Sequence, residues 1–153
     1  MMTVIRNRED PTMTPDQKTL VQKTWKMAAP NAEAVAQLFY QRLFTLDPVI
    51  ERLFAGSNMA AQRGKLVQAL RLAVEGLDDL DGLVPVIEDL GRRHVGYGVE
   101  ASHYDTVGAA LLWTLGRGLG QAWTAETKAA WTEVYGLLAG VMQQSEGSSE
   151  AAA

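Results

Sequence analysis

Residues Leu90 to Gly108 read LGRRHVGYGVEASHYDTVG and hold both histidines of the chain, His94 and His103. Pro85, just upstream, is placed to open a helix, and Gly96 and Gly98 to end it. Proline is tolerated in a first helical turn, and glycine is favoured just past a last one. On that helix Ile87, Leu90 and His94 recur at spacings of three and four, which puts the imidazole on the apolar side. Two readings of His94 stay open from this register alone. One is a hydrogen-bonded core histidine; the other is an axial metal ligand aimed into an apolar space. His103, beside Tyr104 at the start of the next helix, reads as a surface or capping residue.

Working outward, Thr14 before Pro15, with Asp16 and Gln17 after it, reads as an N-cap and an acidic first turn. The first helix then runs to about Ala29. Pro30 opens a second, which carries Val35, Leu38, Phe39, Leu43 and Phe44 and closes at Asp47-Pro48. A short helix follows over about Val49 to Phe54, then a loop over 55–58. Leu66, Ala69, Leu70, Ala73 and Leu77 give helical spacing from about Met59 to Leu77, and Asp78 to Gly82 breaks it. Two long helices are expected over Ser102–Gln121 and Thr124–Gln144, each about 30 Å at ~1.5 Å per residue. Glycines inside them, at 108, 116, 118, 136 and 140, point to close approach between helices. No segment alternates with period two, so the expectation is an all-α fold. The folded domain is expected over 14–145, with flexible tails at 1–13 and 146–153.

Composition narrows the function classes. A chain of 153 residues with 47% hydrophobic and 21% charged residues suits one globular domain. The absence of cysteine removes disulfides, zinc knuckles and thiol nucleophiles. A net charge of −4, from 14 basic and 18 acidic residues, argues against a nucleic-acid partner. No uninterrupted apolar run of the length a membrane span needs is present, and Arg6, Arg8, Glu9 and Asp10 leave no signal core. The expectation is a soluble cytoplasmic domain.

Tyr40, Phe54, Gln62 and Leu66 are individually ordinary helix residues, but their order carries more. Tyr40, Pro48, Phe54, Gln62 with Leu66 one turn on, and His94 together resemble the globin pattern. Leu90 to Gly108 resembles the proximal segment of single-domain bacterial haemoglobins, relatives of flavohaemoglobin globin domains and of neuroglobin. AWTEVYG, from Ala130 to Gly136, is similar to their last helix. The resemblance spans about Thr14 to Ser145. It implies a globin fold of about seven helices around a buried haem b (iron protoporphyrin IX).

The same resemblance implies residue roles. His94 would be the proximal iron ligand, the bond a haem iron requires of an imidazole. Phe54 would stack on the porphyrin, Leu66 would lie above the iron, and Val99 beneath the ring. Tyr40 and Gln62 would stand on the distal side, where a phenol and a carboxamide can both donate to a ligand. Dioxygen at a ferrous centre carries partial negative charge, so each donor is worth ~1.5–3 kcal/mol. Together they tighten oxygen binding by about two to four orders of magnitude. Gln62 is a poor iron ligand, so the sixth coordination site is expected to be open. Tyr104 and Glu146 are placed like a proximal network that tunes the iron through its histidine. Lys65 and Arg93 are placed to reach a haem propionate.

Three functions follow from these expectations. The first is reversible binding of dioxygen, with carbon monoxide and nitric oxide as further ligands. The second is nitric oxide dioxygenase activity; a globin fills this length, so electrons would come from a separate reductase. The third is a haem-free helical interaction module, which need not retain His94 and Phe54.

Overall fold

Several helix starts are set by a side chain that takes up otherwise unpaired backbone amides. The computed structural model describes residues 13–96 and 101–152, with side chains described for 13–93 and 101–144. Helix α1 (Pro15–Ala28) begins with a capping box: Thr14 Oγ1 accepts from the Gln17 amide at 3.1 Å, and Gln17 Oε1 accepts from the Thr14 amide at 2.9 Å. A 3-10 turn over Ala29–Asn31 leads into α2 (Ala32–Leu46). Asp47 caps α3 (Pro48–Leu53), accepting from the Val49 amide at 3.0 Å. Asn58 caps α4 (Met59–Glu75), accepting from the Ala61 amide at 3.1 Å. A second 3-10 turn, Gly76–Asp78, precedes α5 (Leu80–Gly96). After α6 (Ala101–Leu119) and a third 3-10 turn, Gly120–Ala122, Thr124 caps α7 (Ala125–Ala152). These seven helices and their turns are the regular structure among the described residues. Within the same residues no helix is long and apolar enough to cross a membrane.

Several expectations need correcting. Pro85 does not open a helix; it lies inside α5, which starts at Leu80. The break is confined to Asp79, whose carbonyl accepts from the Leu83 amide at 3.0 Å while its carboxylate accepts from the Gly82 amide at 3.2 Å. That cap starts the helix early. The bond Pro85 cannot donate would end on the carbonyl of Asp81, an exposed residue where water can substitute. Met13, assigned to a tail, is buried in the core. The backbone of α7 continues as helix through Ala152, beyond the expected end at Gln144.

The helices pack in pairs. α2 packs on α6 and α4, α1 packs on α7, and α5 packs on α7. The central cluster encloses Trp131, Leu43, Leu77, Leu115, Val21 and Val134 almost completely. Within it the Trp131 indole N–H donates to Thr24 Oγ1 at 2.9 Å, so the ring's polar edge is satisfied. A second cluster, Leu83, Ile87, Tyr104, Ala139 and Met142, lies where α5 meets α7 and α6.

Glycine permits the closest approaches. A Cβ at Gly91 would sit 2.6 Å from the Met142 carbonyl oxygen, and one at Gly108 would sit 2.7 Å from the Tyr135 ring. A Cβ at Gly116 would meet the Trp123 indole at 2.9 Å. Gly136 and Gly140 have no such neighbour, so close approach does not explain them.

Candidate functional site

Tyr40 is buried on α2, one turn before Phe44 and directly after Phe39. Its ring meets Phe54 edge-on at 5.5 Å between centroids, and Phe44 lies 5.4 Å from Phe54. Three aromatic rings from α2 and the end of α3 thus form one wall. Phe44 belongs to it although the sequence reading gave it no site role; its spacing of four from Tyr40 was the available signal. Gln62 on α4 lies near enough to Tyr40 for its amide to act on the phenol. Burial pushes the Tyr40 phenol above its ordinary value, and the nearby Gln62 amide pulls part of that shift back. The hydroxyl is therefore a neutral donor at physiological pH. Leu66, one turn beyond Gln62, is half-buried against the same core cluster.

A second group of candidate residues comes from α5, α6 and α7. The backbone of position 94 is helical and lies three residues beyond buried Gly91 and seven beyond buried Ile87. That is the register of the buried face of α5. The side chain of His94 lies outside the described residues, as do Val99 and the side chain of Glu146. Tyr104 is buried beside Ile87 and Met142 in the second cluster. Its backbone carbonyl accepts a 2.6 Å hydrogen bond from the Tyr135 hydroxyl. Burial, and then the negative charge of Asp105, push the Tyr135 phenol far up, so this donor stays protonated.

Two residues expected at the rim are exposed. Lys65 lies on the solvent side of α4. Arg93 is half-exposed and pairs with Asp89 at 2.8 Å, one turn earlier on α5. His103 is not a surface residue: it is 9% exposed, within the first turn of α6. Its place follows from the inward face of α6, which runs through His103, Tyr104, Gly108 and Leu111. Adjacency to the helix start misled the sequence reading, where the helical register would not have.

A buried tyrosine and a half-buried glutamine on one side, and a histidine position on the inward face of the opposite helix, can be compared with known proteins. The family model described as Globin matches residues 37–142. The chain belongs to the globin family. A flavohemoprotein of Bordetella parapertussis is 36% identical over 145 residues, covering 92% of this globin and 36% of the relative. The chain thus spans about a third of the length of that relative. A neuroglobin of the fish Chaenocephalus aceratus is 31% identical over 140 residues, covering 83% of this chain and 88% of the other. Among solved structures, a bacterial globin from Campylobacter jejuni superposes with a TM-score of 0.79 at 24% identity, covering 90% of this globin and 99% of that chain. A hexacoordinated heme protein from an anhydrobiotic tardigrade gives a TM-score of 0.82 at 18% identity, covering 88% and 96%.

Membership of this family implies a haem, and the residues present fit one. Phe54 and Leu66 are apolar yet only half-buried, so a flat apolar group beside them would cover surface that the protein leaves open. Tyr40 and Gln62 supply polar atoms near these residues, and the backbone of position 94 lies in the register of the buried face of α5.

Proposed function

We propose that this globin binds dioxygen reversibly at a haem b held by His94, with carbon monoxide and nitric oxide as competing ligands. The haem iron supplies the bond to the gas. The chain supplies the rest: an imidazole from α5, an apolar wall from Phe54 and Leu66, and two hydrogen-bond donors. The observation that carries this reading is the buried Tyr40 phenol, packed edge-on against Phe54 with the Gln62 amide near enough to act on it. A phenol and an amide near each other can both turn O–H and N–H groups onto a polar diatomic ligand. Carbon monoxide is less polar than dioxygen and gains less from them.

Replacing Tyr40 by Phe tests the reading. Loss of one donor to a charged acceptor, at ~1.5–3 kcal/mol, speeds oxygen release by about ten-fold or more. Stopped-flow rates that barely move would remove Tyr40 from the mechanism.

A second reading is favoured by the flavohemoprotein similarity. In it, dioxygen, nitric oxide and one electron give nitrate, the electron coming from a separate reductase. Tyr104, and Glu146 by its sequence position, would then support His94 as an electron donor to iron. Nitric oxide consumption by the oxygenated protein does not distinguish the two readings, because oxygenated globins generally react with it. Sustained turnover with a partner reductase does; a single stoichiometric burst would leave reversible binding as the function.

A further inference from the structure

Arg63 directly follows Gln62 on α4, and the gas-binding reading gives it no task. Its guanidinium forms an ion pair with Glu33, in the first turn of α2. The Arg63 side chain is 22% exposed and that of Glu33 is 64% exposed. Glu33 lies seven residues before Tyr40 on the same helix. At 3.6 residues per turn that is about two turns, so the two residues share one face of α2, ~10 Å apart along its axis.

Two neighbouring residues of α4 thus face α2 at separated points: Arg63 pairs with Glu33, and Gln62 lies near Tyr40. A helix held through one flexible side chain can roll about its axis. Held at two points ~10 Å apart, it cannot roll without breaking one contact. Farther along, Leu66, Val67 and Leu70 hold α4 to the core, but in its first turn only half-buried Met59 among the described side chains packs there, so the ion pair adds to a thin set of contacts. Ala60, Ala61, Gly64 and Lys65 are exposed, and so is the approach through 55–58, where Gly56 adopts φ +81°. A roll would carry the half-buried Gln62 away from Tyr40 toward solvent.

We propose that the Arg63–Glu33 ion pair is a latch that positions the Gln62 amide on the ligand side of the pocket. Neither residue touches the ligand; both act through Gln62. The inference rests on the gas-binding reading above. An ion pair with one exposed partner supports only a modest effect, so we expect about a two- to five-fold faster oxygen release when it is broken.

The test uses the haem-loaded protein with Glu33→Gln, Gln62→Ala, the combination of the two, and the charge exchange Glu33→Arg with Arg63→Glu. Two quantities are read: the oxygen dissociation rate, and the infrared C–O stretch of the carbon monoxide complex, which shifts with the donors facing the ligand. The latch predicts that Glu33→Gln moves part of the C–O band to the position seen in Gln62→Ala and speeds oxygen release two- to five-fold. It predicts no further change when Glu33→Gln is added to Gln62→Ala, and recovery toward the original values in the charge exchange. High salt should shift the unmodified protein in the same direction. If Gln62→Ala moves both quantities and Glu33→Gln moves neither, the latch is wrong and the gas-binding reading stands. If Glu33→Gln acts equally with and without Gln62, the pair works elsewhere and the latch is again wrong. If Gln62→Ala moves neither quantity, the role of Gln62 falls and takes the latch with it.

Discussion

Gly91 of α5 lies so close to Met142 of α7 that a β-carbon would stand 2.6 Å from the Met142 carbonyl oxygen and 2.8 Å from its Cα. The obstacle is backbone, which cannot swing aside as a side chain can. This contact fixes the crossing of the two helices one turn before position 94. Gly91→Ala should therefore destabilise the fold by about 1–3 kcal/mol, the usual range for overpacking, and lower haem retention. Gly140→Ala is the control: nothing lies within 4 Å of its added carbon, and it should leave stability unchanged or raise it by up to ~1 kcal/mol. Denaturant titration of both variants checks the contrast.

The core polar pair should behave differently from the site. Thr24 Oγ1 accepts from the Trp131 indole and donates to the Leu20 carbonyl at 2.6 Å. Thr24→Val keeps the shape and strands the buried indole N–H, at a cost of ~1–3 kcal/mol. Oxygen and carbon monoxide rates should stay as they are. A stability loss under 0.5 kcal/mol, an order-of-magnitude floor for a stranded buried donor, would show that the indole finds another partner.

Alkali should weaken the protein through its buried phenols. Tyr40 and Tyr135 both have folded-state values above the ordinary 10.0. For an acid whose folded value is raised, the stabilisation is complete below the unfolded value and is lost as pH rises above it. Stability should thus be level from neutral pH to about pH 10 on this account and fall beyond it. Tyr135→Phe removes the bond to the Tyr104 carbonyl, lowering stability by ~0.5–1.5 kcal/mol at neutral pH, and it flattens the alkaline decline. Denaturant midpoints measured across the pH series check both parts; an unchanged alkaline slope in Tyr135→Phe would assign the decline to other groups.

The capping signals in the sequence translated directly into structure. Thr14 with Gln17 forms the expected capping box because both halves of that device are local. Pro85 did not follow its rule, because the cost of a missing N–H depends on whether the stranded carbonyl reaches water. Gly91 was passed over because its crossing partner, Met142, lies 51 residues away in the chain, and no local pattern announces it. The meeting of Tyr40 with Gln62 was suggested by order and family resemblance alone; how near they come depends on how α4 packs on α2. Arg63–Glu33 was invisible for the same reason, a contact across 30 residues between exposed-looking helix positions.

Coordination offers a further check. Gln62, not histidine, occupies the α4 position near Tyr40, and an amide is a poor iron ligand. The reduced, ligand-free protein should show a spectrum free of a dominant low-spin six-coordinate species. The tardigrade protein, hexacoordinated by its description, shares the fold at 18% identity, which leaves ample room for a different sixth ligand. A dominant six-coordinate ferrous spectrum would mean that some other side chain of this globin reaches the iron.

The central claim is the bond between His94 and a haem iron, and His94→Ala tests it most directly. Haem content and carbon monoxide affinity of the purified variant should be measured beside the unmodified protein. The account predicts a Soret band that is lost or greatly reduced and a collapse of carbon monoxide binding. Full haem content with unchanged carbon monoxide affinity would contradict it.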